Sequence, residues 1–237
     1  MVSTPFPLIS FVEVGEDETE GKPFLKSEFN MYGDSYRSPW SNRYFPMLEL
    51  EDGEENEVPY PSGDLLEMEQ LANATFARYA KLYYDRDFLT SVYFFDQEHN
   101  ANGFGSCWLV KKTMPFPGAE VESVWDATHV VTTVVEKDRL KYTVNSTVFL
   151  LLNANQETQG TVDIAGCVAK TKEDLYPLDP KQPLSQQHIK WIGKMIESNE
   201  TEMRTEMNAI FINKSKQIIN TGRLRDEYMS KDEKSSF

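Results

Sequence analysis

The chain holds 237 residues, 40% of them hydrophobic and 26% charged, a globular composition with enough apolar mass to fold without disulfides or a structural metal. Its 38 Asp and Glu outnumber 24 Lys and Arg, a formal net charge of -14, which argues against a whole-molecule attraction to nucleic acid or anionic membranes. No apolar run exceeds Val148 to Leu152, far short of a bilayer span, and the opening MVSTPFPLISFVEV, with no basic region or small-residue cleavage site, reads poorly as a signal peptide. Cys107 and Cys167 stand in separate apolar segments, so each is expected to pack as a small hydrophobe in a reducing, cytoplasmic setting.

Residues 1–62 form an acidic, loop-rich segment. The first 60 residues hold thirteen Asp and Glu against Lys22, Lys26, Arg37 and Arg43. Two acidic runs flank the dense stretch GDSYRSPWSNRY (33–44), where Pro39 and small polar residues exclude a continuous helix. Residues 63–184 predict a helix followed by an antiparallel sheet. Asp64 can cap a helix from Leu65 to Tyr83, with Leu65, Met68, Leu71, Ala72, Phe76 and Tyr79 as its buried stripe. Five β-rich runs follow: SVYFF, GFGSCWLVK, THVVTTVVE, LKYTVNSTVFLLL and GTVDIAGCVAK. Short links suit a meander, with one longer connection at 112–127. VFLLL lacks alternation, so both of its faces need cover.

Residues 185–222 predict a long basic helix across that sheet. Ser185 caps it, Ile189, Ile192, Ile196, Met203, Met207, Ile210 and Ile218 keep helical steps, and Gly222 ends it. Thirty such residues span about 45 Å. Between Ser185 and Arg225, seven Lys and Arg face four Glu, which reads either as a solvated face or as a binding surface. Residues 223–237 form a short polar tail. The fold class is therefore α+β: a five-stranded antiparallel sheet covered by a long C-terminal helix.

Catalytic chemistry is missing from the pattern. There is no nucleophile elbow, phosphate loop, dinucleotide fingerprint or zinc-helix motif. Gly103-Phe104-Gly105 lies inside a strand and predicts close packing. Asp96, Glu98 and His99 share a turn with no second ligand cluster, and His129 and His188 lack a visible partner. The sequence predicts no enzyme, metal or cofactor.

GDSYRSPWSNRY resembles the signature of the β subunits of the heterodimeric actin filament capping protein family. SVYFFDQEH (91–99) resembles the family's strand-and-turn motif. Further matches follow in order at Trp125-Asp126 with His129-Val130-Val131, at Lys141-Tyr142, at Gly160-Thr161 with Gly166, and at His188-Ile189 with Ile192-Gly193. The long helix matches through Arg204, Asn208, Lys214, Lys216 and Asn220. The resemblance implies that a similar α subunit completes the fold, each subunit giving five strands to one sheet under two antiparallel helices.

It further implies a cytoplasmic, cytoskeletal protein that blocks the barbed end of actin filaments. Arg204 matches an Arg of the family's actin-facing basic patch. Lys214, Lys216, Arg223 and Arg225 join it from local charge. Tyr44 matches a Tyr of the family's surface for regulatory capping-protein-interaction peptides. Residues 1–20 do not resemble the family's helical stalk, and the tail after Arg225 is shorter than its amphipathic tentacle. Two alternatives follow: a scaffold that pairs with an α-type subunit without capping, or a cap for an actin-related filament. Because Arg204 follows Met203 on the helix, it is expected to point away from the core and to add little to stability.

Overall fold

A computed structural model describes residues 12–48, 58–84, 87–96, 103–115, 121–156, 160–179 and 181–232; side chains at 113–123, 152–164 and 214–232 lie outside the described set. The N-terminal segment folds as short pieces. β1 (Val14–Asp17) and β2 (Lys22–Leu25) form a hairpin, and a 3-10 turn at Glu28–Asn30 leads into β3 (Met31–Tyr32), β4 (Ser35–Arg37) and β5 (Tyr44–Phe45), a second small sheet. Next come α1 (Gly63–Tyr84), β6 (Phe88–Asp96), β7 (Gly103–Pro115), β8 (Val121–Glu136), β9 (Arg139–Gln156), β10 (Gly160–Pro177) and α2 (Leu184–Asp232).

β6 to β10 form one antiparallel meander in the order β10-β9-β8-β7-β6. Alternation along β6 splits its side chains between two cores. Val92 and Phe94 face the helices, whereas Tyr93 joins Leu25, Cys107 and Leu109 on the other face under β2. The Tyr93 hydroxyl donates to the Leu25 carbonyl at 2.7 Å, and the Leu25 amide donates to Ser91 Oγ at 2.9 Å, so the hairpin is tied to the sheet. Both helices cover the first face.

The expected stripe of α1 holds at Leu65, Met68, Ala72 and Phe76 and continues to Ala80. Leu71 is 39% exposed instead; it lies one residue, or about 100°, from the 65-68-72-76-80 line. Asp64 sits inside the first turn rather than capping it, where its charge still complements the helix dipole. On α2, Ile189, Ile192, Ile196, Met203 and Met207 are buried as expected, with Met195 added and Ile210 half-buried.

Three further expectations are corrected. The connection at 112–127 is mostly strand, because β7 runs to Pro115 and β8 begins at Val121, with Lys112 paired to Trp125. The two strands pair as far as Pro115 with Glu122. The helix does not stop at Gly222 but continues to Asp232. Gly222 needs no left-handed backbone there, and RLRDEYM beyond it is rich in helix formers. Cys107 is buried, but Cys167 is exposed on β10. The close-packing role of Gly105 holds: a Cβ there would lie 2.1 Å from the Phe95 ring. At Gly166 a Cβ would meet Met207 Sδ at 2.6 Å, so this glycine lets α2 settle onto β10.

Candidate functional site

The signature stretch builds a buried clamp. Arg37, at the end of β4, donates to both Glu69 carboxylate oxygens on α1 at 2.7 and 2.8 Å, and a third bond runs to Asn42 Oδ1 at 2.9 Å. Glu69 Oε2 also accepts from the Phe94 amide at 2.8 Å. Neither partner of the ion pair is more than 2% exposed, so the two charges satisfy one another away from water. Asn73 extends the clamp by exchanging bonds with the Val92 amide and carbonyl, both at 2.9 Å.

Tyr44, expected on a regulatory-peptide surface, is 4% exposed and donates to the Pro59 carbonyl at 2.7 Å. Burial pushes its hydroxyl up to about 12. Its ring packs edge-on with Tyr32 and Tyr60. Tyr60, which packs on Tyr44, and Met47, three residues along the chain, are exposed large hydrophobic side chains.

A second polar cluster joins α1, α2 and the sheet. Glu200 on α2, 1% exposed, accepts from Tyr84 at 2.8 Å and Tyr79 at 3.0 Å, and its Oε1 lies 3.1 Å from His129 Nε2 on β8. His129 Nδ1 lies 2.9 Å from Ser146 Oγ, which also accepts from Asn199 Nδ2 at 2.9 Å. One proton arrangement satisfies every member: Ser146 donates to Nδ1, and the Nε2 proton points to Glu200. Burial opposes ionisation of Glu200, but the bonds from His129 and Tyr84 and the nearby Arg204 hold its carboxyl below the usual range. Sequence spacing had offered His129 no partner, because Ser146 and Glu200 lie 17 and 71 residues away along the chain. Two signals were present: a charged residue between Ile196 and Met203 on the sheet-facing side of α2, and tyrosines ending α1.

Arg204 lies one turn beyond Glu200. Its guanidinium carbon sits over the Tyr84 ring at 4.7 Å, with Trp125 at 5.6 Å and Tyr83 at 5.7 Å. The side chain is 33% exposed. It therefore helps to pack α2 against α1 and β8, which corrects the expectation that it adds little to stability. Lys214, Lys216, Arg223 and Arg225 follow on the same helix, and their side chains lie outside the described residues. Glu98 and His99 also lie outside them. Among the described residues, no group of three His, Cys, Asp or Glu could hold a metal ion, and no helix is long and apolar enough to cross a membrane.

Among the described residues β10 pairs only with β9 and so stands at the end of the strand order. Lys170 on β10 pairs with Glu202 and Glu206 of α2 at 2.9 and 2.7 Å, and Lys172 donates to Ser198 at 2.7 Å. These pairs tie the charged flank of α2 to β10.

An antiparallel meander under two helices is a fold also seen in a solved structure. A solved structure of the homodimeric actin capping protein alpha subunit from Plasmodium berghei superposes with a TM-score of 0.62, covering 90% of this chain and 76% of that one, at 14% identity.

Sequence comparison gives the branch. The family described as F-actin capping protein, beta subunit, matches residues 10–219. F-actin-capping protein subunit beta from Drosophila melanogaster is 36% identical over 213 residues, 88% of this chain and 71% of the relative. The Caenorhabditis elegans and Arabidopsis thaliana proteins of the same name are 34% and 32% identical over 209 and 217 residues, covering 88% and 89% of this chain and 72% and 78% of the relatives. The chain belongs to the β-subunit family of F-actin capping protein.

Proposed function

We propose that this chain pairs with an α-type subunit and that the heterodimer binds actin filament barbed ends, blocking subunit addition and loss. Family membership across residues 10–219 carries the reading. The place of β10 at the end of the sheet order supports the pairing half, since an edge strand invites continuation of the sheet by a similar chain. Arg204 supports the capping half: a cation held on an aromatic platform, with one face open, is set to meet an acidic partner. Lys214, Lys216, Arg223 and Arg225 would extend that positive surface, and regulatory peptides would meet the surface beside Tyr44 through Tyr60 and Met47.

The role is binding in the cytoplasmic cytoskeleton, without a chemical step or cofactor. The test is co-expression with the α-type subunit of the same organism, followed by barbed-end elongation with that organism's actin. Capping at substoichiometric dimer supports the proposal. A stable dimer that leaves elongation untouched overturns the capping half and favours a non-capping scaffold, or a cap specific for an actin-related filament.

A further inference from the structure

Beside Arg204 lies a cleft of about 310 Å³, walled by Tyr83, Tyr84, Lys112, Trp125, Leu150 and Arg204. Asn208 of α2 is also on its lining but is bonded to neither Trp125 Nε1 nor Arg204 Nη2. Its floor is one row across the sheet, because Lys112 of β7 pairs with Trp125 of β8, which pairs with Leu150 of β9. The end of α1 gives one wall and α2 the other.

Among the described residues, two buried donors on this cleft have no acceptor. Trp125 is only 8% exposed, yet its Nε1–H has no hydrogen-bond partner, and neither has Arg204 Nη2. The other tryptophan indoles with recorded bonds behave differently: Trp40 donates to the Pro23 carbonyl and Trp108 to Ser106 Oγ. Glu200 does not satisfy Arg204. Its Oε2 lies 3.6 Å from Nη2, beyond hydrogen-bond reach, and its oxygens already accept from Tyr79 and Tyr84 and face His129. A buried donor left without an acceptor is costly, and two around one cleft point to an acceptor that arrives with a ligand.

The local charge narrows the class. Arg204 and Lys112 bring two positive charges, and Lys112 also bonds the Tyr84 carbonyl. Glu200 behind them brings one negative charge, and Glu197 at the rim accepts from the Tyr83 hydroxyl. The interior surplus is one positive charge, which suits a monoanion. Leu150 and the aromatic faces suit a short aliphatic stem. We propose that the cleft is a receptor for a single carboxylate side chain of a protein partner, with Trp125 Nε1 and Arg204 Nη2 as its donors. On the capping reading, on which this rests, the partner is the barbed end.

The test uses the α/β heterodimer. Its indole N–H resonances are followed by NMR during titration with propionate, and in parallel with inorganic phosphate, at constant ionic strength. The Trp125 proton should move downfield saturably with propionate, while those of Trp40 and Trp108, already bonded, stay in place. Trp125→Phe, which keeps the ring and removes the donor, should weaken capping about tenfold or more. An unresponsive Trp125 proton overturns the proposal, as does an equal response to both anions, which marks an adventitious anion site. Wild-type capping by the Phe variant overturns the assignment of the barbed-end carboxylate to this cleft. A saturable propionate response in a dimer that does not cap would leave the cleft standing and remove the capping reading.

Discussion

Two arginines in this molecule stand beside buried glutamates, and they differ in nearly every other respect. Arg37 is 2% exposed, bidentate on Glu69 at 2.7 and 2.8 Å, with a third bond to Asn42. Arg204 is 33% exposed, 3.6 Å from a Glu200 already engaged by two tyrosines, and it leaves a donor unpaired. The first pair is closed and locks the N-terminal pieces to α1. The second is open, and its cation is held by ring faces rather than by its carboxylate. A satisfied buried pair holds structure, whereas a half-satisfied one keeps capacity for a partner.

The largest expected effect comes from breaking the closed pair. Arg37→Met strands Glu69 without water and should cost about 3–5 kcal/mol, read as a fall in the urea midpoint of the heterodimer. A loss under about 1 kcal/mol would mean that Glu69 re-pairs and that the signature stretch is not the clamp described.

A second effect depends on pH. His188 is fully buried among Phe94, Phe104 and Tyr142, with Nδ1 3.0 Å from the Tyr142 hydroxyl, and burial depresses its folded pKa to about 3 from 6.5. Between those values the unfolded chain binds a proton that the folded chain refuses. This contribution is therefore complete above pH 6.5 and falls as pH drops through the window, by about 1.4 kcal/mol per pH unit. Urea midpoints from pH 7 to pH 4.5 should show this slope added to that of the carboxylates, and His188→Leu should remove it. An unchanged slope in the variant would mean that His188 already titrates in the folded state.

The open pair should behave in the opposite sense to the closed one. Arg204→Ala loses its contacts with Tyr84 and Trp125, about 0.5–2 kcal/mol, while its effect on a charged partner should exceed its effect on melting. Smallest of all is Lys170→Ala. Its pairs with Glu202 and Glu206 are solvent-exposed and screened, so the melting midpoint should not move. A clear fall would mean that the flank of α2 depends on this lysine.

Much of this comparison was legible in the chain, and the limits have physical causes. Apolar periodicity located all five long strands, both helices and most of the helical stripes, because a period of 3.6 or 2 is a local property. The family signature was visible as a motif, but its clamp was not. Arg37 and Glu69 are 32 residues apart, and no spacing rule links a strand residue to a later helix face. Arg204 was read as pointing away from the core, since position on the helix gave its direction but not the aromatics of α1 and β8 beneath it. Tyr44 was matched by motif alone, which cannot show that its ring turns inward. The orphan Trp125 donor is a tertiary fact, defined by what fails to come near it.

The most direct test of the central claim is barbed-end elongation against concentration of the α/β heterodimer, for wild type and Arg204→Glu, at low and moderate salt. Wild type should cap, and the charge-reversed dimer should cap far more weakly. The difference should shrink as salt rises, because screening weakens exposed pairs. Equal capping by both dimers at both salts, with both still folded at the assay temperature, would contradict the account by showing that the open arginine meets nothing at the filament end.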